Sequence, residues 1–190
     1  MDAEVREVTE TLRIFIAPGQ VTELRALEVM DGRYPQTVYG FFDWDHLHIM
    51  AAEAVRLTKR AVGVYFVPNA IDPAILARCA NKTKSSTRES SLTKDVDIIE
   101  RKWVLVDADP VRPDGISATE AEKAAALQVI QDVRVSLVND GFRRSVLADS
   151  GNGYHLMYPV SWPTDDDGIT REFLTKIAEK FDTPKVKIDR

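Results

Sequence analysis

The chain has 190 residues, enough for one compact domain or for two small lobes that share a core. Its composition, 44% hydrophobic and 29% charged, is that of a globular protein, and its apolar runs are too short for a membrane-spanning helix. A single cysteine excludes an internal disulfide, three histidines make a zinc site unexpected, and the net charge of -5 argues against a protein coated in nucleic acid. The acidic N-terminal segment lacks the features of a signal peptide, so a cytoplasmic location is predicted.

The first half of the chain, residues 1–96, is predicted to be an α/β lobe. Its expected elements are, in chain order, strand and loop over 13–27, a short strand at 37–42, a helix over 45–60 capped by Asp43 or Asp45, a strand at 63–69, and a helix over 74–80 that Pro73 opens. The polar stretch 81–97 is rich in Ser, Thr and Lys and has almost no apolar residue, which favours a break between the two halves.

The second half, residues 97–190, has a more regular pattern. It predicts a buried strand at 102–107, a helix over 121–140, a hairpin of strands 145–149 and 154–160, a helix over 170–181 and a last strand at 185–189. A capping box of Ser117 and Glu120 is expected to open the first of these helices. The order β-α-β-β-α-β is that of the ferredoxin-like or RRM-like arrangement, so the fold class predicted is α+β.

Two carboxylates end the first of these strands. Asp107 and Asp109 are two residues apart, and side chains at this spacing on an extended chain point to the same face. They repel each other unless a cation lies between them, and Mg²⁺ and Mn²⁺ prefer oxygen ligands. The alternative is that Asp107 and Asp109-Pro110 only begin a turn.

The hairpin between the second and third strands has groups that suit a phosphate. Ser150 supplies a hydroxyl, the turn formed by Gly151, Asn152 and Gly153 supplies backbone N–H groups, and His155 supplies an imidazole. In the βαββαβ arrangement the first and third strands are neighbours, so His155 is expected beside the two aspartates. The alternative is an ordinary hairpin with a partly buried histidine.

A third carboxylate, Asp189, ends the last strand, which pairs next to the first strand in this arrangement. It is therefore expected to complete a metal site with Asp107 and Asp109. The alternative for a residue so near the end of the sequence is a solvated side chain.

Three segments resemble, in this order and spacing, the three motifs of the archaeo-eukaryotic primase superfamily. They are LVDADPVRPDGISATEAEKAAAL at 105–127, LADSGNGYHLMYPV at 147–160 and KVKID at 185–189. The likeness covers nearly the whole chain and is strongest to the primase-polymerase domains of bacteria, phages and plasmids. It implies an RRM-like palm packed with the N-terminal lobe, in the archaeo-eukaryotic primase fold.

The resemblance also implies roles for particular residues. Asp107, Asp109 and Asp189 would be the catalytic metal ligands, holding two Mg²⁺ or Mn²⁺ ions and no zinc. Ser150 and His155 would contact the triphosphate, with Lys187 helping to offset its charge. Further residues would lie on the nucleotide and template side of the cleft: Tyr65, Asn69, Arg78, Asn81 and Lys82.

The function that this likeness implies is template-dependent joining of nucleotides on single-stranded DNA by a primase-polymerase. The expected partners are the template, NTPs or dNTPs, and a helicase domain or CRISPR-associated proteins, with no membrane. A basic cluster of Arg78, Lys82, Lys84 and Arg88 would follow template phosphates, or else is a solvated loop. Relatives continue beyond the third motif, so the chain is expected to be trimmed or part of a longer primase-helicase.

Two other functions compete with this one. The alternative class is a non-catalytic RRM-like module that binds single-stranded nucleic acid through aromatic side chains, although the first strand offers only Trp103 among aliphatic and acidic residues. A nuclease that binds metal through paired histidines is not expected. His46 and His48 fall in a predicted helix, where residues two apart do not face together.

Overall fold

The computed structural model describes residues 2–30, 32, 34–86, 92–113, 115–142 and 144–190, so Arg88 of the predicted basic cluster lies outside the described residues. The protein is α+β with antiparallel sheets. It divides into two compact units, Met1–Lys102 and Trp103–Arg190. None of the described helices combines the length and the apolarity that crossing a bilayer would require.

The elements of the first unit are α1 (Ala3–Phe15), β1 (Val21–Met30), β2 (Pro35–Asp43), α2 (Leu47–Thr58), β3 (Gly63–Phe66), β4 (Ala70–Ile71) and β5 (Lys84–Ser86), with 3₁₀ turns at Trp44–His46, Pro73–Arg78 and Asp95–Asp97. The unit is built on a four-stranded sheet in the order β3-β1-β2-β5 with two helices, α1 and α2, that contact each other. β1 pairs antiparallel with both β2 and β3.

Two predictions for this unit were wrong in detail. The segment that begins at Arg13 was expected to be strand and loop, but Arg13, Ile14 and Phe15 form the last turn of α1, because Leu12 and Phe15 are buried on the same face of that helix. The helix expected after Pro73 is a 3₁₀ turn, opened by the Asp72 carboxylate, which accepts a hydrogen bond of 2.9 Å from the Ala74 N–H.

A buried carboxylate fixes the chain near the end of the polar stretch 81–97. Glu23 on β1 is fully buried, and both of its oxygens accept hydrogen bonds from the Arg25 guanidinium, at 3.0 and 2.8 Å. The Thr93 N–H donates to the same carboxylate at 2.9 Å, while the Thr93 carbonyl accepts from Arg25 at 3.2 Å. A buried charge is tolerated when it is paired and hydrogen-bonded in this way, so the Glu23–Arg25 pair holds Thr93 against β1.

The elements of the second unit are β6 (Ile98–Pro110), α3 (Glu120–Asn139), β7 (Val146–Asp149), β8 (Tyr154–Trp162), α4 (Ile169–Phe181) and β9 (Val186–Ile188). Its strand order is β9-β6-β8-β7, so the first and third strands of the predicted β-α-β-β-α-β series, β6 and β8, are neighbours, as expected. β6 starts within the first unit, where Ile98 and Glu100 pair with β4. β9 pairs antiparallel with β6, and β7 with β8.

Alternation along β6 separates the core from the opposite face of the sheet. Val104, Val106 and Ala108 are each at most 3% exposed and belong to the core of this unit. α3 and α4 supply the other side of that core with Ala126, Ile130, Val133, Ile177 and Ala178. Since side chains alternate along a strand, Asp107 and Asp109 lie on the face away from this core.

The N-cap of α3 differs from its prediction by two residues. The N-cap is Thr119 rather than Ser117: its N–H donates to the Glu122 carboxylate at 2.8 Å, and its hydroxyl oxygen accepts from the Glu122 N–H at 3.3 Å. This is a capping box of the expected kind, formed by the second of two overlapping Ser/Thr-x-x-Glu patterns.

Candidate functional site

The site is centred on Asp107 and Asp109 of β6. Asp107 Oδ1 is buried, and no described residue hydrogen-bonds it. The pKa of Asp109 is raised, first by its burial and then by the negative charge of Asp107 beside it. A bound cation would stabilise two neighbouring carboxylates of this kind, since it would offset their mutual repulsion and provide a partner for the unsatisfied oxygen of Asp107.

His155 on β8 lies beside the first of these carboxylates, as predicted. Its Nε2 is 3.4 Å from Asp107 Oδ2, and both side chains are partly exposed. The hydrogen bond to Asp107 raises the pKa of His155, and burial opposes that shift. The imidazole is therefore held next to the acidic pair with its protonated form favoured.

Asp189 is brought to the same place by the pairing of β9 with β6. Its N–H donates to the Asp107 carbonyl at 3.0 Å, and Ala108 is the register partner of Ile188. The charge of Asp189 is among those that raise the pKa of Asp109, after burial and Asp107. The structure thus places Asp107, Asp109 and His155 together and brings the backbone of Asp189 next to Asp107.

Lys187 has a different partner from the one predicted. It is the register partner of Asp109, but its ammonium lies 3.2 Å from the Asp182 carboxylate. The same carboxylate accepts from the Ile188 N–H at 2.9 Å and also contacts Arg190. Asp182 therefore anchors β9, and a contact of Lys187 with nucleotide stays a prediction.

The glycine-rich turn is tied together by its own polar groups. The Gly153 N–H donates to Ser150 Oγ at 3.0 Å, and the Gly151 N–H donates to Asp149 at 2.7 Å. The Asn152 side-chain oxygen accepts from the Ala118 N–H at 3.0 Å. Ser150 is exposed and keeps its hydroxyl proton for another acceptor, because its oxygen acts here only as an acceptor.

Gly153 is a site residue that the sequence reading did not single out. A Cβ at this position would collide with the Ala108 carbonyl oxygen and with Asp109 Oδ1. The hairpin backbone therefore packs directly against the carboxylate end of β6. The Gly-x-Gly spacing in the turn was visible in the sequence, but the partner of the second glycine was not.

The two carboxylates of Asp107 and Asp109 are oxygen donors of the kind that Mg²⁺ and Mn²⁺ prefer, but they would supply only part of the coordination shell. Within the described ranges, no group of three or more His, Cys, Asp or Glu side chains is close enough to hold a metal ion. Asp107 and Asp109 nevertheless provide an orphaned buried oxygen and adjacent negative charge. Mg²⁺ is commonly held by one or two carboxylates with substrate phosphates and water completing its shell, and Asp189 lies nearby as a further oxygen donor.

The predicted cleft residues of the first unit are mostly engaged within that unit. Tyr65 on β3 has an exposed ring, whereas the Asn69 side-chain oxygen accepts from the Lys102 N–H at 2.9 Å. Arg78 pairs with Asp97, with both contacts at 3.3 Å. Roles for these residues toward nucleotide or template stay predictions.

Asn81 and Lys82 differ sharply in their surroundings. The Asn81 amide accepts from the Asp43 N–H at 3.1 Å and donates to Asp43 Oδ2 at 2.9 Å, and its backbone has a φ of +53°. Lys82 is exposed. Asn81 therefore has a defined structural role at the end of β2.

We expect Asn81→Ala to lower the free energy of unfolding by about 2 kcal/mol. Two hydrogen bonds are lost, and asparagine tolerates the left-handed backbone conformation at this position better than alanine does. Lys82→Ala is the neighbouring control and should change stability by less than about 0.5 kcal/mol. Urea denaturation measures both. Equal effects of the two substitutions would show that the Asn81–Asp43 contacts do not stabilise the fold.

The histidine pair of α2 does not follow its prediction. The His46 and His48 rings stack with centroids 6.4 Å apart, because His46 belongs to the 3₁₀ turn before the helix rather than to α2 itself. His46 Nδ1 lies 2.6 Å from Asp43 Oδ1. The expectation that the two rings face apart was wrong, although among the described residues no group of three or more His, Cys, Asp or Glu side chains could hold a metal ion.

No family model, no curated protein and no solved structure matches this chain. Function therefore has to be inferred from the site itself and from the motifs that compose it.

Proposed function

We propose that the protein is a template-dependent nucleotidyl transferase, a DNA primase-polymerase whose second unit is an RRM-like palm of the archaeo-eukaryotic primase type. The observation that carries the proposal is that Asp107, Asp109 and His155 lie side by side on neighbouring strands, with Asp189 joined to Asp107 through its backbone N–H. The strand order β9-β6-β8-β7 supports the palm, because it is the order of a ferredoxin-like sheet.

The carboxylates would serve as metal ligands. Two divalent cations in such sites supply charge stabilisation for the attacking 3′-hydroxyl oxygen and for the leaving pyrophosphate. Phosphoryl transfer asks the protein mainly for position and electrostatics, so little proton chemistry is needed from the chain. Asp107 and Asp109 would meet that need as oxygen donors at the end of β6, with Asp189 as the expected third donor.

The turn and His155 would hold the triphosphate. The Ser150 hydroxyl can donate to a phosphate oxygen, and an imidazolium at His155 would form a charge-assisted hydrogen bond to another. Both groups are attached to β8 or to the turn before it, next to the carboxylates. Cation-binding and anion-binding groups thus lie side by side, as a metal–triphosphate complex requires.

The non-catalytic alternative is less well supported by the exposed face of β6. A module that binds single-stranded nucleic acid stacks bases on aromatic side chains of its central strands. On β6 the face opposite the core carries Trp103, Leu105, Asp107 and Asp109, so it offers one aromatic ring among aliphatic and acidic side chains. Carboxylates repel a phosphate backbone when no metal is bound, so this face suits metal-dependent chemistry better than simple binding.

Extension of a labelled primer on single-stranded DNA with Mg²⁺ or Mn²⁺ tests the proposal. We expect products whose length and sequence follow the template, and their complete loss when a chelator is added or the template is omitted. Binding of single-stranded DNA with no incorporation of either NTPs or dNTPs would contradict the proposal and favour the binding module. Metal-dependent shortening of the template without extension would indicate a nuclease.

His155→Gln is expected to raise the KM for the nucleotide about tenfold or more, because a charge-assisted hydrogen bond contributes roughly 1.5–3 kcal/mol. The effect should be larger on KM than on kcat if the imidazole binds the triphosphate in the ground state. His48→Gln, at an exposed position, is the matched control. A variant with unchanged KM would rule out triphosphate binding by His155.

A further inference from the structure

Arg112 is a charged residue beside the acidic site whose guanidinium lacks a complete set of partners. It lies two residues after Pro110, the last residue of β6. The N–H of Val111, between them, donates a hydrogen bond of 2.8 Å to the carbonyl of Lys185, the residue before β9, so the pairing of the two strands continues to this point. Arg112 is therefore carried by an extension of the sheet and not by a free loop.

The electrostatic neighbours of Arg112 are acidic. Asp109 and Glu122 both lie within range of its charge. The carboxylate of Glu122 is already used at the start of α3, where it accepts from the Thr119 N–H and from the Thr119 hydroxyl, both at 2.8 Å. No ion pair of 4.0 Å or less joins Arg112 to either acid among the residues that the structure describes.

The Nε of Arg112 is buried, and within the described part of the chain it has no hydrogen-bond acceptor. A buried donor without a partner is unfavourable, and structures rarely leave one unexplained. An arginine fork forms two parallel hydrogen bonds with a phosphate, which is the acceptor that matches a planar cation next to a metal site.

We propose that Arg112 binds a phosphate group of the nucleoside triphosphate, an inference that rests on the proposed nucleotidyl transferase function. Asp107 and Asp109 would hold the cations, and Arg112 would bind phosphate oxygens on the side of the cluster that faces α3. The residue is then part of substrate binding, just beyond the end of β6 and near the start of α3.

Nucleotide binding by three variants tests this. Arg112→Gln should weaken binding of the Mg²⁺–nucleotide complex about ten- to hundredfold, because a charge-assisted hydrogen bond is lost. Arg112→Lys should recover only part of it, since an ammonium cannot form the paired bonds. Arg171→Gln, which removes an exposed arginine from α4, should bind as the wild type does.

A second measurement separates this inference from the proposed function. Inorganic tripolyphosphate with Mg²⁺ should raise the thermal unfolding midpoint of the wild type and of Arg171→Gln, and raise that of Arg112→Gln much less. If the wild type extends primers and Arg112→Gln binds nucleotide equally well, the inference is overturned and the proposed function stands. If no primer is extended but the tripolyphosphate response still depends on Arg112, the proposed function fails and the phosphate site remains. A wild type that responds to neither ligand overturns the inference.

Discussion

Replacing Asp107 and Asp109 together by asparagine is expected to lower primer extension by about three orders of magnitude or more. Metal ions contribute several kcal/mol of charge stabilisation in phosphoryl transfer, and each ~1.4 kcal/mol changes a rate tenfold. Asparagine keeps the size of the side chain but removes the charge that holds a divalent cation. Steady-state extension assays at saturating Mn²⁺ measure the loss.

The same double variant should fold at least as well as the wild type without metal. Burial and the charge of Asp107 raise the pKa of Asp109, so ionisation of Asp109 is less favourable in the folded chain than in the unfolded chain, and removing its charge relieves repulsion. Added Mg²⁺ or Mn²⁺ should raise the unfolding midpoint of the wild type and not that of the variant.

The matched control for this variant removes two other carboxylates from the same unit. Asp132 and Asp140 are both exposed, so Asp132→Asn with Asp140→Asn changes the net charge equally without touching the site. This control should keep its activity and its response to metal. Full activity in the Asp107→Asn, Asp109→Asn variant would instead show that the carboxylate pair is not the metal site.

The second large effect is expected from Gly153→Ala. The new methyl group would collide with the Ala108 carbonyl and the Asp109 carboxylate, forcing the hairpin and β6 apart. Overpacking of this kind commonly costs about 1–3 kcal/mol of stability. Because the collision lies at Asp109, we expect primer extension to fall much further than the loss of folded protein explains.

Gly151→Ala separates the two consequences. Gly151 has a φ of +93° but open space around its Cβ position, so alanine is strained there without approaching the carboxylates. We expect a loss of stability of about 1–2 kcal/mol with activity retained per folded molecule. Chemical denaturation and extension assays on both variants decide this. Equal specific activities would mean that the turn at Gly153 relaxes without displacing Asp109.

Long-range strand order was predictable because two periodicities are strong in the second half of the chain. Alternation in the strands, amphipathic helices and a glycine turn leave few arrangements open, and β6 and β8 are neighbours as expected. The exact start of α3 was not predictable, since Ser117 with Glu120 and Thr119 with Glu122 satisfy the same local pattern. Only the packing of the whole unit selects between them.

Other features depend on contacts that a local pattern cannot contain. The aromatic and β-branched residues near Phe15 favour a strand locally, yet burial against neighbouring elements makes them the end of α1. The hydrogen bond from the Ala118 N–H to Asn152 and the ion pair of Lys187 with Asp182 likewise join residues whose contact no local sequence pattern indicates. Arg112 was not singled out from the sequence, because the burial of its Nε without a hydrogen-bond acceptor appears only in three dimensions.

The alternation along β6 has a consequence for how this protein can vary. Val104, Val106 and Ala108 pack in the core, whereas Asp107 and Asp109 alternate with them on the opposite face and do not contribute to that packing. Substitutions in the core set therefore have little effect on the carboxylates, and the reverse also holds. The stability of the fold and the chemistry of the site can consequently change independently during evolution. A single-residue insertion or deletion within β6 before Asp107 would affect both sets at once. It would exchange the two faces of the strand and point both carboxylates into the hydrophobic core.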